Sequence, residues 1–148
     1  MDEQTLNQRL KNIPRYQGSF ALDELKNVEI KTFPEFLVVN LENREEGGNH
    51  WIGIGIYQTR VYICDSLGGI LPDKKIPSAL VNFLHILLHS RKLFITKQLQ
   101  PLDSNKCGQY CVVFVKEMAK HHSFDSFIRL FSQNLQQNDV VISFLCNE

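Results

Sequence analysis

Cys107 and Cys111 stand four residues apart in "SNKCGQYC" (104–111), where a polar loop runs into an apolar, helically patterned segment. Thiols so placed can bind a metal, bridge, pack or attack. A bridge between them is disfavoured, because side chains four apart on a helix keep their Cβ atoms ~5–6 Å apart, whereas a disulfide needs ~3.8 Å. Zinc wants about four converging ligands. The nearest supplement, His121 and His122, gives Cys-x3-Cys-x9-His-His, which matches no usual finger. Cys111 reads as a small core hydrophobe on a buried stripe, the ordinary place for a free cysteine. Cys107 differs. It opens the helix, follows Pro, Asp, Ser and Asn, and precedes Gly108, which lets other groups approach its backbone. Free N–H groups and the positive end of a helix dipole lower a thiol pKa from its usual ~8.5, which suits a nucleophile.

A nucleophilic cysteine needs a base, and the base needs a group to orient it. Of the five histidines, His85 and His89 fall in a helix predicted over 77–89, and His121 and His122 close the Cys107 helix. Those four read as surface or partly buried helical residues. His50 lies in "GGNHWIG", where glycines free the chain before a strand, so its imidazole can project from the sheet edge while Trp51 anchors the strand on the other face. Asp65 ends the next strand in "YICDSLGG", close to His50 if the two strands pair. It could cap its own turn, or accept the second ring proton and fix the tautomer. Acyl transfer also requires donors aimed at the developing oxyanion; the Cys107 N–H is one, and a Gln side chain is another. Gln98 and Gln100 both lie on the segment that delivers the chain to Cys107, and the residues alone do not choose between them.

These groups must be positioned by a domain. The chain has 148 residues, 43% hydrophobic and 22% charged, with ten Phe, the profile of one soluble domain over 1–148 that can bury a core without metal or disulfides. Lys plus Arg balances Asp plus Glu at 16 each, so net charge argues for neither nucleic acid nor a membrane surface. The apolar runs are too short for a membrane helix and "MDEQ" is no signal peptide, which points to an intracellular protein with free thiols.

Periodicity predicts a helix over 2–13, strands over 36–42, 50–57 and 60–66 in an antiparallel meander, a turn at "NREEGGN" and a loop at "SLGGILPDKK". A helix over 77–89 and a strand over 92–98 follow, then an amphipathic helix with Cys107, Cys111, Phe114, Val115 and Met118 on one stripe, and one or two further helices. The fold class expected is α+β, a central mostly antiparallel sheet flanked by helices.

The quoted residues resemble the adenovirus maturation protease family, adenain, and more distantly the ubiquitin-like-protein-specific proteases. "REEGGNHWIGI", "VYICDSLGG" and "QPLDSNKCGQYCVVF" carry the likeness, in the order His, Asp or Glu, Gln, Cys, over about residues 18–120. The resemblance implies the papain-like, adenain-like cysteine protease fold. It assigns Cys107 as nucleophile, His50 as general base and then acid, Asp65 as orienting carboxylate, and Gln100 with the Cys107 N–H as oxyanion hole. Gln100 is chosen over Gln98 because it lies seven residues before the cysteine.

The implied activity is a cysteine endopeptidase cleaving near glycine, in a viral enzyme that matures capsid or core precursors, working in the virion and the host nucleus or a cytoplasmic virus factory. No cofactor or metal is expected. Adenovirus enzymes are longer and basic and use DNA and a viral peptide as activators. This chain is neutral and has no cysteine just before Gln100, so neither activator is carried over. Three alternatives use the same fold: a deconjugase for a ubiquitin-like modifier, a Cys-dependent acetyltransferase drawing on coenzyme A, and an inactive binding module.

Overall fold

The computed structural model describes residues 1–42, 44, 50–68 and 76–147. The turn expected at "NREEGGN" lies outside the described residues except for Arg44, and the loop at "SLGGILPDKK" does so beyond Gly68.

Helix α1, Glu3–Leu10, starts where the Asp2 side chain accepts the Thr5 N–H at 2.7 Å, and it buries Leu6 and Leu10. Five strands follow the chain in spatial order: β1 Tyr16–Phe20, β2 Glu35–Asn40, β3 Trp51–Ile56, β4 Arg60–Cys64 and β5 Lys92–Ile95. The meander expected from the sequence is β2–β3–β4, whose two pairings are antiparallel. At each edge the pairing is parallel, β1 with β2 and β5 with β4. β1 was not expected; "YQGSF" is short and polar, and Gly18 takes a φ of 131° that breaks its register. A short 3-10 helix, Leu22–Asn27, fills the connection to β2.

Helices cover both faces of the sheet. Strand side chains alternate between faces, so Ile52, Ile54 and Ile56 of β3 point one way and Trp51 and Gly53 the other. The isoleucines join Leu37, Val39, Val61 and Ile63 against the 3-10 helix and Leu80, Leu84 and Leu87 of α2, Ser78–Leu88. On the opposite face Phe36, Val38, Trp51, Tyr62 and Cys64 pack with α1 and with α3, Cys107–His121. α4, Phe124–Ile128, and α5, Leu135–Cys146, add Phe127 and Ile142 to that side. The chain is an α+β domain, as expected. Among the described residues no helix is long and apolar enough to cross a membrane.

One contact sets the depth of α3. A Cβ at position 53 would sit 2.7 Å from the fully buried Phe114 ring, closer than atoms pack. Glycine therefore lets the helix lie directly on β3, which brings its first residue to the start of that strand.

Candidate active site

His50 immediately precedes β3, and its carbonyl accepts the Leu41 N–H at 3.0 Å, which ties it to the end of β2. β3 is the middle strand, so the imidazole projects from a strand end in the centre of the sheet and not from the sheet edge expected from the sequence. Asp65 immediately follows β4. The β3–β4 register sets Gly53 opposite Cys64, which carries Asp65 past the end of the pairing toward His50. His50 Nε2 lies 2.7 Å from Asp65 Oδ1. The carboxyl is fully buried, and Thr96 holds its backbone on both sides: Thr96 Oγ1 accepts the Asp65 N–H and donates to the Asp65 carbonyl, each at 2.9 Å.

Cys107 is the first residue of α3. Its N-cap, Lys106, makes no side-chain hydrogen bond to the helix, which leaves first-turn N–H groups for the sulfur. The Trp51 N–H points at Cys107 Sγ, 3.5 Å away. With Nε2 on the carboxylate, the imidazole has Nδ1 left for the thiol. That nitrogen is buried and makes no closed hydrogen bond. Catalytic bonds of this kind are often long or open before substrate binds. Met1 lies against Gly108, and its carbonyl accepts the Trp51 indole N–H at 3.3 Å.

The electrostatics follow from these contacts. Burial pulls the His50 pKa down, but the hydrogen bond to Asp65, the neighbouring Cys107 sulfur and the charges of both outweigh it and raise it from 6.5 to about 9. Burial pushes the Cys107 thiol up, while the neighbouring His50 imidazole, the Trp51 N–H and the Gly108 N–H bring it below its ordinary value. Each charged form stabilises the other. Cys64 and Cys111, buried with carboxylate and thiolate neighbours, are pushed well above the ordinary thiol range. Cys111 is the stripe residue expected, 1% exposed. The fold thus separates one acidic thiol from two inert ones.

Gln100 is fully buried, whereas Gln98 is exposed. The Gln100 amide oxygen accepts the Ser66 hydroxyl at 2.5 Å and its Nε2 donates to the Ser104 carbonyl at 2.9 Å, on the loop that enters Cys107. Gln98 Nε2 donates to the Gln100 carbonyl at 3.0 Å. So the structure bonds His50 directly to Asp65, sets the Cys107 sulfur on the N–H of the next residue, Trp51, and ties Gln100 in through Ser66 and the 104–107 loop. The Trp51 N–H, Ser66 and Thr96 were not read from the sequence as parts of this site. Only the position of Ser66, beside Asp65, signalled it.

No protein-family model and no curated protein sequence matches the chain. Solved structures do. The ASFV pS273R protease matches with a TM-score of 0.61 at 13% identity, over 97% of this chain and 63% of that one. The chain therefore spans less than two thirds of that protease. The central domain of the Lpg1148 protein from Legionella pneumophila matches at 0.53 and 12% identity, over 100% and 98% of the two chains. HopZ1a in complex with IP6 and CoA matches at 0.53 and 14% identity, over 91% and 44%. The fold is that of the pS273R cysteine protease, shared with a protein captured holding coenzyme A.

Proposed function

We propose that this chain is a cysteine endopeptidase in which Cys107 is the nucleophile, His50 the base and then the acid, Asp65 the orienting carboxylate, and Gln100 with the Cys107 N–H the oxyanion hole. The observation that carries this is one imidazole, His50, held at 2.7 Å by a buried carboxylate and coupled to a thiol at a helix start. Fold likeness to a protease supports it.

The Cys107 thiolate adds to a peptide carbonyl, forming an S–C bond and moving the carbonyl electron pair onto oxygen. The oxyanion collapses, the C–N bond breaks, and the departing amine takes its proton from the His50 imidazolium. Neutral His50 then takes a proton from water as its oxygen attacks the thioester. Cys107 leaves as thiolate, His50 is again imidazolium, and the acid product is released. Asp65 keeps Nε2 protonated throughout, so Nδ1 faces the reacting atoms.

The substrate class follows from the resemblance of the His, Asp, Gln and Cys segments to adenain: proteins with glycine around the scissile bond, among them viral capsid or core precursors, in the virion or infected cell. The test is mass spectrometry of glycine-containing peptides and unfolded protein incubated with the chain. Cleavage lost in Cys107→Ala supports the proposal. A second reading is acetyl transfer, since HopZ1a and AvrA structures hold CoA on this fold. Offered acetyl-CoA, an acetyl-thioester on Cys107 passed to an acceptor amine, with no peptide cleaved, would favour that second reading.

A further inference from the structure

Ser66 follows the orienting carboxylate directly and is 1% exposed, yet it makes no contact with His50 or Cys107 among those described. Its hydroxyl donates to Gln100 Oε1 at 2.5 Å, and its carbonyl accepts the N–H groups of Leu99 at 2.8 Å and Gln100 at 3.0 Å. Three bonds from one residue thus converge on the segment that holds the amide. That segment is clamped from its other side, where the Leu99 carbonyl accepts Asn138 Nδ2 at 3.0 Å and the Tyr110 hydroxyl at 3.4 Å. Gly68 closes the Asp65–Gly68 turn, its N–H donating to the Asp65 carbonyl at 2.9 Å. With a φ of 68°, Gly68 lies so near Gln98 that a Cβ there would meet its backbone nitrogen at 2.9 Å.

A primary amide has two N–H donors and one oxygen. In Gln100 the oxygen is taken by Ser66, and the Ser104 carbonyl takes one N–H. A carbonyl only accepts, so turning the amide over would set Oε1 against the Ser104 oxygen. The Ser104 carbonyl therefore selects the orientation with Nε2 on the side of the loop entering Cys107, and the Ser66 hydroxyl, which can donate or accept, donates to Oε1 and holds the amide in place. The second N–H makes no bond among those described.

We infer that Ser66 is the positioning residue for Gln100: its hydroxyl fixes the amide so that the second N–H is presented to the oxyanion formed at Cys107. The turn that carries the acid of the triad thereby also sets the oxyanion donor. This rests on the protease proposal above.

The test compares Ser66→Ala, Ser66→Thr and Gln100→Ala on a cleaved glycine-containing peptide, with iodoacetamide labelling of Cys107 in parallel. Losing one neutral hydrogen bond is expected to lower kcat about two- to tenfold, less than the ~10²–10³-fold of losing the donor itself. KM and the labelling rate should hold, Ser66→Thr should regain activity, and Ser66→Ala should have little further effect in the Gln100→Ala background. Ser66→Cys, of similar volume with a weaker donor, replaces Ser66→Ala if the alanine variant does not fold. Full activity of the variant, or equal losses with and without Gln100, would overturn the inference and leave the protease proposal standing. Labelling slowed in step with kcat would overturn it too, placing Ser66 behind Asp65 and His50. No turnover by the wild type would remove proposal and inference together.

Discussion

His50 and Asp65 lie 15 residues apart in sequence, and their side chains meet at 2.7 Å because the β3–β4 hairpin folds one strand's start onto the other's end. The carboxyl is fully buried while the imidazole keeps 19% of its side-chain surface. A buried carboxylate facing an imidazole stabilises the imidazolium, which is why the His50 pKa rises to about 9 despite burial. Asp65→Asn removes that charge, so the pKa should fall and the alkaline limb of the kcat/KM profile should move to lower pH. The rate should drop by about 10²–10⁴, the usual worth of acid–base catalysis. A pH profile of peptide hydrolysis checks both, and an unmoved alkaline limb would count against the assignment of Asp65.

The two cysteines of α3 should separate cleanly. Cys107→Ala is expected to abolish turnover with the fold intact. Cys111→Ala deletes a buried sulfur from the core stripe, so it should cost about 0.5–3 kcal/mol of stability and leave the active-site chemistry in place. Kinetics and urea denaturation on the same preparations decide this; an inactive, well-folded Cys111→Ala would reverse the roles.

Gln100→Ala should lower kcat by about 10²–10³ with KM little changed, the mark of a donor used in the transition state. Gln98→Ala should be near wild type, since Gln98 is exposed and its side-chain amide donates to the Gln100 carbonyl. Steady-state kinetics of the pair would show the opposite ranking if Gln98 supplies the donor.

Gly53→Ala tests whether the close seat of α3 on β3 matters to the site. With Phe114 in the way, the added methyl should destabilise by about 1–3 kcal/mol. It should also slow Cys107 labelling by shifting the thiol away from the Trp51 N–H. Combining it with Phe114→Leu should return part of both losses, and a wild-type melting curve for Gly53→Ala alone would refute the account of the seat.

Much of this was legible before the fold was known, for physical reasons that differ by element. The α3 stripe and β2 to β4 bury residues at regular spacing, and burial is what periodicity reports. β1 escaped because three polar or glycine positions interrupt it and its partner is 20 residues away across a 3-10 helix. Cys107 and His50 were readable from local context, a helix start and a glycine-freed strand start. The choice of Gln100 over Gln98 came from family resemblance; the structure places Gln100 in the interior and Gln98 at the surface. Ser66, Thr96 and the Trp51 N–H act through partners 34, 31 and 56 residues away, and no local pattern encodes such bonds.

The central claim is a Cys107 thiolate paired with a His50 imidazolium, and the most direct measurement is the pH dependence of iodoacetamide labelling, read at each cysteine by mass spectrometry. In the wild type, labelling should be fast and selective for Cys107 at pH well below the ordinary thiol pKa of ~8.5, because the thiol pKa is lowered and His50 stays charged up to about 9. In His50→Ala the low-pH labelling should disappear, since burial then acts on the thiol without the imidazolium to oppose it. Slow labelling, equal among the four cysteines or indifferent to His50, would contradict the account.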